Sequence, residues 1–88
     1  MNTQAAYAMI YSAVEQHPKR RLLSCTVEDQ HFGSFLINFT QDGEERPVVN
    51  DRGFVCVTGG LEGTGKTLAT VSSLYEADSH SLLTGLRL

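Results

Sequence analysis

Between Gly33 and Gly59 the chain alternates in character with period two and is cut by two short turn signals. That pattern constrains the fold more than any other feature. In "GSFLINFT" the residues Phe35, Ile37 and Phe39 fall on one side. A strand sends successive side chains to opposite faces, so this marks a strand with one face buried. "QDGEE" follows, and Asp-Gly accepts the positive φ that a tight hairpin demands. "RPVVN" continues as a short strand, where Pro47 points to an edge or a strand start because proline has no N–H to give to a ladder. "NDRG" turns the chain again and "FVCVTG" runs back. Upstream, "RRLLSCTVED" alternates Leu23, Cys25 and Val27 with Ser24, Thr26 and Glu28. The expected sheet is a four-stranded antiparallel meander.

A sheet with one apolar face needs a cover. Residues 3 to 16 supply one: Ala6, Met9, Ile10, Ala13 and Val14 recur at helical spacing and form a single stripe. Asn2 or Thr3 can cap the start, and Pro18 pushes His17 out of the helical region and ends it. Tyr7 and Tyr11, four apart, share a face beside the stripe. The fold class is therefore α+β, an N-terminal amphipathic helix packed on the meander. After the sheet, "TLATVSSLYEAD" places Leu68, Val71, Leu74 and Tyr75 at helical spacing, yet Leu68, Thr70 and Ser72 also alternate with Ala69, Val71 and Ser73. We take the helix, which gives a second short helix near the C-terminus. The leucines of "SLLTGLRL" are expected to pack on the domain or on a second copy.

With 88 residues the chain has room for one hydrophobic core, so residues 1–88 read as a single small domain. A net charge of −3 works against displacing counterions from nucleic acid, and no nucleic-acid partner is expected. The N-terminal apolar run is interrupted by Ser12 and Glu15 and is followed, not preceded, by Lys19, Arg20 and Arg21. That order fits neither a leader peptide nor a spanning helix, and the sequence reads as cytoplasmic, with no membrane partner. Cys25 and Cys56 lack metal-ligand spacing and read as buried free thiols.

One stretch resembles chemistry. "GGLEGTGKT" fits G-x-x-x-x-G-K-[ST] from Gly60 through Gly65, Lys66 and Thr67. Glycines let backbone N–H groups converge on phosphate oxygens, the lysine adds charge and the hydroxyl ligates magnesium. Locally the segment is similar to the phosphate loops of the nucleoside-monophosphate kinases, some of which carry a glutamate where Glu62 stands. The resemblance spans about a dozen residues. It implies Gly60, Gly63 and Gly65 as cradle, Lys66 as phosphate ligand and Thr67 as magnesium ligand.

The rest of the chain departs from that family. Only 21 residues follow Thr67, no apolar strand ending in aspartate appears among them, and the upstream strands read as antiparallel. A connecting loop therefore ranks first and a phosphate or nucleotide site second. The discriminating feature is the segment after the loop. A helix from Thr67 keeps the site, and a strand makes the glycines a hairpin connection.

Other constellations are weaker. His17, His31 and His80 lie far apart, and the neighbours Glu28-Asp29 and Glu44-Glu45 would point to opposite faces of a strand. Lys19, Arg20 and Arg21 form a basic cluster that reads as a solvated connector, with an electrostatic contact for an acidic partner as the alternative. Phe32, Phe35, Phe39 and Phe54 invite a base-stacking reading, which core packing explains better for Phe35 and Phe39. No catalytic constellation and no cofactor follow from the sequence. The reading is a small non-catalytic protein-binding or regulatory module, homodimeric through its apolar tail and sheet edges, with the phosphate or nucleotide module as runner-up.

Overall fold

The computed structural model describes residues 1–28, 33–59 and 66–88. Helix α1 (Thr3–Gln16) leads into strands β1 (Arg20–Val27), β2 (Ser34–Gln41), β3 (Glu44–Asp51), β4 (Phe54–Gly59) and β5 (Lys66–Val71). A 3-10 turn (Leu74–Glu76) and helix α2 (Ser79–Gly85) close the chain. The strands form one antiparallel sheet in the order β1-β2-β3-β4-β5. The fold class is α+β as expected, with five strands instead of four.

Local chemistry sets the boundaries. Asn2 caps α1, its Oδ1 accepting from the Ala5 N–H at 2.7 Å, and His17 leaves the helix in an extended conformation ahead of Pro18. Both tight hairpins use two residues with positive φ, Asp42 and Gly43 then Arg52 and Gly53, the type I′ geometry that matches strand twist. Pro47 lies inside β3, a central strand, and not at a sheet edge. It is tolerated because the β3–β4 ladder ends at Val48↔Val57, so β3 is locally an edge at Pro47.

The inner face of the sheet carries Phe35, Ile37, Phe39, Val48, Val55 and Val57, all buried. Ala6, Ile10 and Val14 of α1, Leu82 of α2 and Leu86 just after it join them in one core. Burying such side chains stabilises the fold by about 1.5–3 kcal/mol each. Tyr7 packs edge-on against Phe35, with ring centroids 5.4 Å apart, and stacks on Tyr11 at 6.3 Å. Asn50, fully buried among these residues, is matched on both sides: its Nδ2 donates to the Gly33 carbonyl (3.1 Å) and its Oδ1 accepts from the Gly53 N–H (3.0 Å).

Two expectations change. Residues 66–71 pair with β4 as a strand, so the helix read over residues 67–77 is replaced by β5 and the 3-10 turn. An extended bonding edge on β4 outweighs a weak local helical pattern. Leu23 is not on the buried face. A bulge between Leu22 and Ser24 turns Leu22 inward and leaves Leu23 48% exposed. The C-terminal leucines pack on the domain, one of the two places expected for them, and residues 79–85 form the short C-terminal helix. Asp78 and Ser81 form a reciprocal cap, Asp78 Oδ1 accepting from the Ser81 N–H (2.8 Å) and Ser81 Oγ from the Asp78 N–H (3.0 Å). The Ser81 hydrogen bonds, with a smaller contribution from His80, hold the Asp78 carboxyl below its usual pKa.

Candidate functional site

Both helices pack on the inner face, and no described element covers the other face of the sheet. Register brings one line of residues straight across that open face: Thr26, Leu36, Val49, Cys56 and Thr70, each paired with the next. A solvent-facing row of an antiparallel sheet ordinarily carries polar residues. Here its centre is Leu36, Val49 and Cys56. Phe54, beside Asp51 in the neighbouring row, is 48% exposed, and Val49 is 36% exposed. Threonines 26, 40, 58, 67 and 70 surround this strip on the same face, and Arg21, Glu45 and Asp51 stand at its margins.

Asn38 contributes a polar irregularity to the face. Its Nδ2 donates to Glu45 Oε1 at 3.0 Å, whereas its Oδ1 is shielded from solvent and has no hydrogen-bond partner. A buried amide oxygen without a donor is a strained feature that an added N–H or O–H would relieve.

The two cysteines lie on opposite faces, Cys25 paired with Ile37 on the inner side and Cys56 with Val49 on the outer side, both half-buried and free. The sheet separates their side chains, so an intramolecular disulfide is excluded by geometry. Tyr7 sits against Cys25. The hydrogen bond between them, then burial, raises the phenol from 10 to about 12.

The basic cluster does not act as one patch. Lys19 is exposed on the connector and Arg21 stands exposed on the outer side of the sheet, whereas Arg20 turns inward. The Arg20 guanidinium donates to the carbonyls of Ala13 (3.2 Å) and Leu88 (3.3 Å) and to Gln41 Oε1 (3.1 Å), and it lies 5.9 Å from the Phe39 ring centre. It ties α1, the sheet and the tail together. Burial first, then the Arg46 charge, lowers its pKa.

Of the phosphate-loop residues, Gly60, Gly63 and Gly65 lie outside the described residues, as do Glu62, Asp29, His31 and Phe32. Lys66 and Thr67 are described and exposed, at the start of β5, paired with Gly59 and Thr58 of the antiparallel β4. Residues 60–65 thus join two adjacent antiparallel strands, and no helix N-terminus stands at Thr67 to add its partial charge to a phosphate. Among the described residues there is no group of three His, Cys, Asp or Glu side chains placed to hold a metal ion, and no helix is long and apolar enough to cross a membrane.

The outer strip escaped sequence reading because attention to period two selects the buried set. The available signal was that Leu36, Val49 and Cys56, the alternate residues of three strands, are themselves apolar. No protein-family model, curated protein or solved structure matches the chain.

Proposed function

We propose that this protein is a small non-catalytic protein-binding module whose contact surface is the open face of the sheet, and that its first partner is a second copy of itself. The carrying observation is the apolar strip Leu36–Val49–Cys56, flanked by Phe54 and left uncovered by the described elements, whose helices pack on the opposite face. Strand spacing near 4.8 Å gives the five strands a face about 24 Å wide and, over six residues, about 20 Å long. That footprint, about 480 Å², is smaller than the roughly 800 Å² per partner of a standard interface and fits a weak, concentration-dependent dimer. Two such faces stack about 10 Å apart in a sheet sandwich.

A reducing, cytoplasmic setting suits two free thiols held on opposite sides of a sheet. Sedimentation velocity tests the reading. A species of twice 9.7 kDa that falls back to 9.7 kDa in Val49→Asp supports it, and a monomer at every concentration removes the second copy as partner.

A second reading, phosphate or nucleotide binding at Gly60, Gly63, Gly65, Lys66 and Thr67, rests on the exposure of Lys66 and Thr67 beside that loop and ranks lower because β5 begins where the motif needs a helix. Amide NMR with ATP and GTP, with and without magnesium, separates the two. Saturable shifts at Lys66 and Thr67 that vanish in Lys66→Ala favour the phosphate site.

A further inference from the structure

At the Asp42-Gly43 end of the molecule, the inner face of the sheet and the tail after α2 enclose a cavity of about 150 Å³. Its lining combines apolar side chains, Val57, Leu68 and Leu86 among them, with Gln41, Arg46 and Arg87. The bulge between Val57 and Thr58 opens this space, because Leu68 has no partner on β4 and lies with Ala69 along the cavity wall.

Two separate observations on the polar residues point to an anion. Arg46 stands on the central strand β3, and its Nε is shielded from solvent with no hydrogen-bond partner. Its ion pair with Glu44 is long, 3.8 Å from Nη2 to Oε2 on the same edge of the guanidinium, and leaves the Nε–H itself unmatched. A guanidinium offers five N–H donors in a fixed fork, and a buried one left unmatched is costly. Arg87 is the second observation. The end of α2 is a Schellman turn: the Arg87 N–H donates to the Thr84 carbonyl (3.1 Å) and the Leu88 N–H to the Leu83 carbonyl (2.8 Å). The residue at its left-handed position is normally glycine, yet here it is Arg87 at φ 60°. A side chain there costs about 1 kcal/mol, and this one puts a second arginine, exposed to solvent, at the lining of the cavity.

The surroundings reinforce that charge. Gln41 Oε1 already accepts from Arg20 Nε, which leaves the amide NH₂ as its donor. Arg20 adds a third guanidinium close enough for Arg46 to lower its pKa, after burial.

We propose that this cavity binds a small carboxylate with a short apolar tail. Its carboxylate meets the fork of Arg46, with Arg87 and the Gln41 amide beside it, and its tail lies against Val57, Leu68 and Leu86. The volume equals about five waters, which suits an acid of four or five carbons. Arginine pairs with a planar carboxylate through two parallel hydrogen bonds, and the apolar lining matches an alkyl chain. A phosphate group would turn oxygens toward that apolar lining with nothing to donate to them.

Titration with sodium butyrate, followed by the Arg Nε–Hε signals and the Val57 and Leu86 methyls, tests this, with 1-butanol and sodium phosphate as comparison probes. Butyrate is expected to saturate in the millimolar range, with butanol at least about tenfold weaker, the loss of one charge-assisted contact. Arg46→Gln is expected to weaken butyrate about tenfold. Arg87→Gly relieves the left-handed residue, so it should melt higher than the wild type while binding butyrate more weakly, which separates lost binding from lost folding. Equal affinity for butanol, saturation by phosphate ahead of butyrate, wild-type binding in both variants, or no saturable shift by about 50 mM would each overturn the proposal.

Discussion

Asn50→Asp perturbs the most enclosed polar group in the sheet by exchanging an NH₂ for an oxygen. Wild-type Asn50 is fully buried, donates to the Gly33 carbonyl at 3.1 Å and accepts from the Gly53 N–H at 3.0 Å. A protonated aspartic acid can copy both bonds. An ionised one keeps the Gly53 contact but turns a negative oxygen toward the Gly33 carbonyl, which retains only the Arg52 N–H at 2.8 Å. Burial and that carbonyl favour the neutral acid, raising the folded-state pKa about two to three pH units above the unfolded value near 3.9. A group whose pKa is raised on folding contributes fully below the unfolded value and loses that contribution as pH rises through the folded one. The variant should therefore nearly match the wild type at pH 3 and fall behind by roughly 3–4 kcal/mol at pH 7. For a chain of this size that is a drop of roughly 12–30 °C in melting temperature. Urea denaturation of both proteins from pH 3 to 8 reads the difference directly, other carboxylates cancelling. A difference that stays flat with pH, or that grows toward acid, refutes the burial and bonding assigned to Asn50.

Ile10→Ala, at a fully buried site under α1, should cost about 2–5 kcal/mol in chemical denaturation. Leu82→Ala should cost a similar amount, about 2–5 kcal/mol, because α2 is part of the core, and a loss below about 1 kcal/mol would mean that the helix is only loosely attached. Arg87→Gly should raise stability by about 0.5–1 kcal/mol in thermal melts, since glycine adopts the left-handed turn freely. Ultraviolet titration of phenolate should show a step near pH 12 that Tyr7→Phe removes. Because folding raises this phenol's pKa, its contribution to stability is complete below about pH 10 and is lost as pH climbs toward 12.

The parts of the fold legible in the sequence are those where local chemistry and tertiary packing agree. The stripe Ala6, Ile10, Val14, the cap at Asn2 and the break at Pro18 all specify α1. Asp42-Gly43 specifies its hairpin because only certain residues accept the paired positive φ values. Residues 67–77 were ambiguous because Leu68, Val71 and Leu74 satisfy a helical period while a bulge at Leu68 hides the strand's alternation. Nothing local reveals that β4 offers a free edge. Leu23 was misplaced for the same reason, since one inserted residue inverts an alternating pattern. The cap of α2 was visible in principle as Asp78 followed three residues later by Ser81, though serine there is a weaker signal than glutamate. The candidate face was legible only in part, because Leu36, Val49 and Cys56 come together through the register of three strands. The arginine cavity depends on residues 41, 46 and 87 lining one space, which no sequence spacing connects.

The most direct test of the open face as the contact surface is the amide spectrum of the protein at about 20 μM and about 1 mM, a range that spans ordinary homodimer affinities. The account predicts concentration-dependent shifts at Leu36, Val49, Phe54 and Cys56, with α1 unchanged. Identical spectra, or shifts gathered instead around Ala5, Ala8 and Ser12 in the groove between α1 and the tail, would contradict it.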